Sequence, residues 1–154
     1  MVAANMTLGS EHNILGAYLI GSGFVAGISN LLGLMAFWWY PHVLCTPSAI
    51  PEVALLLSDL CVACIHPFSG FAAIKNEWVW GEYGCQLYSF FGFLFGNFQC
   101  LCVPFVAFDR FIESDAPPLL KKLRTKRIYA RVFILLFLLT FIWAVTPLPI
   151  IGWA

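Results

Sequence analysis

The sequence predicts an all-α integral membrane protein, a bundle of four transmembrane helices. Of its 154 residues, 61% are hydrophobic and only 10% charged, where a soluble domain carries about 25% charged residues. The mean hydropathy is +0.86. Apolar runs long enough to cross a bilayer recur four times along the chain. A soluble domain of this length cannot hide such runs, so the solvent is lipid, and a backbone in lipid must satisfy its polar groups within helices.

A helix rises about 1.5 Å per residue, so about twenty apolar residues cross roughly 30 Å of hydrocarbon. Residues 1–13 form a polar-leaning outer segment, and residues 14–40, free of charge, predict the first span. A connection at 41–49 is marked by Pro41 and Pro47. The second span is predicted at 50–74, with Glu52 and Asp59 as its only charges, followed by a connection at 75–82. The third span is predicted at 83–111, uncharged as far as Phe108, and a basic connection at 112–131 leads to an uncharged fourth span at 132–153. Connections this short make successive spans antiparallel neighbours.

Net charge is zero, with eight basic and eight acidic residues, which gives no case for nucleic acid or an acidic substrate. Distribution says more than the total. Arg110, Lys121, Lys122, Arg124, Lys126, Arg127 and Arg131 crowd around the third connection, leaving Lys75 alone elsewhere. The positive-inside rule then makes 112–131 cytoplasmic and the N-terminus extracellular. The sequon Asn5-Met6-Thr7 agrees, since Asn5 is a glycosylation acceptor only on the lumenal side. The first thirteen residues lack the basic region and cleavage site of a signal peptide, so the first span reads as a retained anchor. There is no internal repeat, heptad or nucleotide-binding glycine loop.

Polar groups inside a span need a reason, because a charge at a helix centre costs about 2.5 to 3.5 kcal/mol. Asn30 and Asp59 lie deep in the first and second spans. They form either a functional intramembrane site holding waters or an ion, or a polar joint between helices. Glu52, near the cytoplasmic end of its helix, can snorkel to the interface. Asp109 and Arg110, adjacent at the inner end of the third span, are either interfacial anchors or a switch in which a carboxylate holds and releases Arg110. Phe90, Phe91, Phe93, Phe95 and Phe98 suit packing and lipid contact better than a pocket for a flat polyene. Pro67 and Pro104 should kink their helices.

The six cysteines have no metal-ligand spacing with histidine, so no metal is expected. Five lie in or beside apolar segments as packing residues. Cys85 opens the third span on the outer side, where a thiol tends to pair, and its partner would lie beyond Ala154 or on another chain.

Asn30, Leu57-Ser58-Asp59, Cys85 and Asp109-Arg110-Phe111 occur in the order and spans of the rhodopsin-like G protein-coupled receptors, with the family's usual interval from Cys85 to Arg110. The chain resembles the first four spans of such a seven-span receptor. Within the family it is most similar to the opsins, especially the opsin of the retinal pigment epithelium, through Glu11-His12-Asn13-Ile14, Tyr18-Leu19-Ile20, Ile28-Ser29-Asn30, Thr46-Pro47, Gly84-Cys85-Gln86 and Pro149-Ile150-Ile151-Gly152-Trp153-Ala154. The resemblance implies a disulfide from Cys85 to the second extracellular loop, a water or sodium network at Asp59, and a switch to a heterotrimeric G protein at Asp109 and Arg110.

The chain departs from the family pattern at Phe111 (usually tyrosine), at Pro51 and Pro104, at Ala54 (often asparagine), and in the short interval between Trp143 and Trp153. Tyr88 stands where vertebrate visual pigments carry a counterion glutamate, as in many non-visual opsins. The lysine that forms a Schiff base with retinal on the seventh helix has no counterpart here, because Lys75, Lys121, Lys122 and Lys126 lie outside the spans. The resemblance therefore implies part of a retinal-binding photoreceptor of the plasma membrane or of a photoreceptor or epithelial membrane, itself holding no retinal covalently. It leaves open a parent that signals through a G protein in phototransduction and visual perception, and one that acts as a retinal photoisomerase. A free-standing four-span scaffold without chromophore is the reading from a different class.

Overall fold

The computed structural model of the chain describes residues 2–146, with side chains from residue 10 onward. The described residues form helices and turns with no strand: α1 Val2–Trp39, α2 Ala49–Lys75, α3 Gly81–Ser114, a single turn α4 Pro118–Lys121, and α5 Lys126–Val145. Four of these are long and apolar enough to cross a membrane: α1 from Ser10, α2, α3 and α5. Large apolar side chains point outward along them, Tyr18 69% and Ile142 62% exposed, a surface suited to lipid and not to water. The side chain of Asn5 and residues 147–154, which include the closing Pro149-to-Ala154 run, lie outside what is described.

Helix bounds and apolar runs differ at both ends of the chain. The backbone of α1 is helical from Val2, taking in the segment read as a separate outer tail. No proline interrupts it, and extending an existing helix requires no new nucleus. At the other end α5 begins at Lys126, inside the connection read as 112–131. Thr125, extended at φ −124°, accepts a hydrogen bond from the Ile128 amide at 3.4 Å and caps the helix. The helix thus runs through Lys126, Arg127 and Arg131 before its uncharged stretch starts.

Between α2 and α3 the chain reverses within a few residues. Asn76 closes α2 in the left-handed region at φ 54°, its amide returning to the Ala72 and Ala73 carbonyls. Gly81 opens α3 at φ 67°, a conformation that a side chain would strain. Pro51 sits in the first turn of α2, where helix amides lack intrahelical partners anyway. Pro67 and Pro104 lie inside α2 and α3.

Helix α2 is the hub, packed against α1, α3 and α5. Its seam with α1 is made of small residues. A Cβ on Gly16 would lie 2.6 Å from the Gly70 carbonyl oxygen, and one on Gly70 would lie 2.8 Å from the Gly16 carbonyl oxygen. With lipid on both sides there is little hydrophobic drive between helices, so such close backbone approach supplies the dispersion contacts that join them. The α3–α5 seam is aromatic. Phe105 meets Phe133 edge-on at 4.8 Å, Phe98 meets Phe137 at 5.4 Å, and Phe90 meets Phe141 at 6.0 Å. These edge-to-face pairs assign Phe90 and Phe98 to packing. Phe98, Cys102 and Phe133 form the buried core beneath α2.

Candidate functional site

Three polar or aromatic groupings occupy three levels of the bundle. At the basic end, where α1 and α3 finish and α2 and α5 begin, charged residues from distant parts of the sequence converge. Successive residues on a helix point about 100° apart, so Asp109 and Arg110 face different surroundings. The Asp109 residue is 1% exposed. Its Oδ1 accepts from Arg124 Nε at 3.0 Å and from the Tyr129 hydroxyl. The Arg110 side chain is 56% exposed and pairs with Glu52 of α2 and, at 3.2 Å, with Glu113 of its own helix.

Arg124 is the centre of this cluster. Besides Asp109 it reaches Glu113 Oε1 at 3.1 Å and donates to the Ser48 hydroxyl at the start of α2. One guanidinium so ties the connection after α3 to α3 itself and to the first turn of α2. Burial works against the Arg124 charge, but the hydrogen bonds and charges of Asp109 and Glu113 outweigh it and hold the group above its usual range. Glu113 is shared between the two arginines. Chemically, the cluster is a set of exchangeable ion pairs with two exposed members, Arg110 and Glu113, and one sealed member, Asp109.

Asn30 and Asp59 occupy the middle level but do not bond each other. Asn30 Nδ2 donates to the Ala26 carbonyl of its own helix at 2.9 Å. Asp59 Oδ1 is buried without a hydrogen-bond partner among the described residues, as is His66 Nδ1. The orphaned carboxylate oxygen is the kind of group that a water or cation would satisfy.

At the far end, α2, α3 and their connection enclose a cavity of about 300 Å³ lined by Ile65, Phe68, Trp80, Leu87, Tyr88 and Phe91, among others. Trp80 Nε1 donates to the Phe68 carbonyl at 3.3 Å, and its ring lies 5.1 Å from Phe68 and 5.8 Å from Phe71. Tyr88 packs against Trp78 at 5.2 Å. Cys85 stands exposed in the second turn of α3, next in sequence to the cavity-lining Gly84. The lysines lie at helix ends: Lys75 closes α2, Lys121 and Lys122 end α4, and Lys126 opens α5.

The structure thus distributes the sequence-predicted residues over three levels of the bundle. It adds Ser48, Glu52, Glu113, Arg124 and Tyr129, which the sequence reading left out of the basic-end cluster. The available signal was the grouping of carboxylates, Glu52, Asp109 and Glu113 among them, at one end of the bundle beside an excess of cations.

The family model described as 7 transmembrane receptor (rhodopsin family) matches residues 29–154. Over 94% of its length the chain is 32% identical to the visual pigment-like receptor peropsin of Homo sapiens and 30% identical to that of Mus musculus. It is 25% identical to melanopsin-B of Xenopus laevis over 91% of its length. The chain spans 42% of the length of either peropsin and 26% of that melanopsin. Among solved structures, squid rhodopsin superposes with a TM-score of 0.66 at 22% identity, covering 98% of this chain and 41% of that one.

Proposed function

Because the chain belongs to the rhodopsin family of seven-transmembrane receptors and is similar to opsins, we propose that it supplies spans one to four of a retinal-binding photoreceptor that signals through a heterotrimeric G protein. The basic end then faces the cytoplasm and the N-terminus the outside, in keeping with the cations of 121–131. Arg110 is the residue that meets the G protein, and Glu52 and Glu113 are its resting partners. Asp109 stays buried and anchors the connection through Arg124. The divided cluster carries this reading: one arginine half-exposed on replaceable surface pairs, its neighbouring carboxylate sealed elsewhere.

The residues present fit retinal as a wall and not as an anchor. The far-end cavity is apolar, with Phe68, Trp80, Leu87 and Phe91 suited to a polyene and Tyr88 a polar group on its surface. No lysine lies within the interior of a described span, so the covalent attachment must come from elsewhere in a receptor of family length. Retinal, when bound, supplies the absorption of light and the change of shape. Cys85 would tie the start of α3 to an extracellular loop and hold this wall in place.

The test is a receptor of full family length containing this chain, reconstituted with retinal in lipid nanodiscs. Light-dependent guanine nucleotide exchange on a purified G protein is expected, and it should vanish in Arg110→Gln. Absence of exchange with every G protein class would overturn the reading. Conversion of all-trans to 11-cis retinal without exchange would assign a photoisomerase instead.

A further inference from the structure

The basic end holds more cations than its carboxylates use. Among the described residues the ion pairs engage Arg110 and Arg124. Arg127 and Arg131, both exposed, take part in none. They lie one turn apart at the start of α5, Arg127 in the first turn, where the helix macrodipole disfavours positive charge and where there is no acidic residue. An external anion at this position would relieve both the mutual repulsion and the dipole.

The helix face on which they stand says which anion. At about 100° per residue, Arg127 and Arg131 continue into Ile134, Leu135, Leu138 and Ile142. These four are 60%, 60%, 49% and 62% exposed. The opposite face carries the buried Tyr129, Phe133, Thr140 and Ala144. A pair of guanidinium groups therefore stands at the head of an outward apolar stripe that would lie against lipid chains. A soluble anion or an acidic peptide would use the charges and leave the stripe unexplained, whereas a lipid matches both at once.

We propose that Arg127 and Arg131 form a headgroup site for an anionic phospholipid, with its acyl chains lying along Ile134, Leu135, Leu138 and Ile142. Guanidinium groups suit this role because they grip phosphate with paired donors, and each juxtamembrane cation adds to the attraction of an anionic lipid. The site depends on α5 crossing a membrane and not on retinal or a G protein, so its failure leaves the photoreceptor reading untouched, and the reverse also holds.

The test is native mass spectrometry of the full chain in nonionic detergent, titrated with phosphatidylserine or with phosphatidylcholine of the same acyl composition. The chain is expected to retain phosphatidylserine about tenfold more tightly than phosphatidylcholine. The double substitution R127Q/R131Q should abolish that preference, while R127K/R131K keeps most of it and K121Q/K122Q leaves it intact. Circular dichroism checks that each variant keeps its helix content. If R127Q/R131Q loses helix, the wild-type comparison alone decides. Equal retention of the two lipids overturns the proposal. So does a preference that survives R127Q/R131Q in a folded chain, or displacement of the lipid by millimolar inorganic phosphate.

Discussion

Arg124 Nε donates to Asp109 Oδ1 at 3.0 Å across a reversal of the chain, and the carboxylate adjacent to Arg110 is thereby committed to a different arginine. Removing one partner of a buried pair strands the other, at a cost of about 3 to 5 kcal/mol. Arg124→Gln is accordingly predicted to lower the thermal unfolding midpoint of the purified chain by several degrees. Asp109→Asn should cost less, since an amide still accepts from Tyr129. The double variant should be less destabilised than the sum of the two, with a coupling of about 1 kcal/mol or more. Additive losses would show that the two residues do not interact.

Arg110 is held differently, by pairs that water reaches. Exposed ion pairs contribute about 0 to 1 kcal/mol. Glu52→Gln is thus predicted to leave the stability of the chain within about 1 kcal/mol of the wild type. In a receptor of full family length it should raise nucleotide exchange in the dark, because Arg110 loses its hold on α2. Dark exchange equal to that of the wild type would contradict a restraining role for Glu52.

The glycine contact between α1 and α2 makes a contrast testable within one helix. A Cβ at Gly16 collides with the Gly70 backbone, while one at Gly21 meets nothing within 4 Å. Gly16→Val should separate the helices and destabilise the chain by about 1 to 3 kcal/mol. Gly21→Ala should be neutral or stabilising by up to about 1 kcal/mol, the difference in helix propensity. Unfolding followed by tryptophan fluorescence in mild detergent measures both. Equal effects would mean that α1 does not pack on α2 through this face.

Asp59 carries the unsatisfied oxygen of the bundle's middle level. If a sodium ion or ordered water answers it, the wild-type chain gains thermal stability when sodium chloride replaces choline chloride at constant ionic strength. Asp59→Asn is predicted to be more stable than the wild type in choline chloride and indifferent to sodium. A variant less stable than the wild type in the absence of sodium would show that the carboxylate already has a structural partner.

The four apolar helices were legible because bilayer thickness writes itself into the length of uncharged runs. Where the helices end was less legible. Hydropathy marks where lipid begins, but Lys126, Arg127 and Arg131 can remain helical while reaching into the interface, so the start of α5 lies six residues ahead of its uncharged run at Val132. The residues of opsin resemblance, Asp59, Cys85, Asp109 and Arg110, could be named from the sequence, but their partners could not. Glu52 and Arg110 are separated by 58 positions and Asp109 and Arg124 by 15. No periodicity links such positions: the packing of α2 on α3 brings Glu52 to Arg110, and the reversal of the chain after α3 brings Arg124 to Asp109. Asp109 and Arg110 look like a natural pair because they are adjacent, yet helical geometry is what directs them apart.

Trp80 bears on how this half-bundle can move. Its ring packs against Phe68 and Phe71 while its indole nitrogen bonds the Phe68 carbonyl, so the start of α3 is attached to α2 beside the cavity. At the opposite end the same two helices are joined by the exposed Arg110–Glu52 pair and, through Arg124, by the link from buried Asp109 to Ser48. Of these ties the exposed pair contributes least, since ion pairs that water reaches are worth about 0 to 1 kcal/mol.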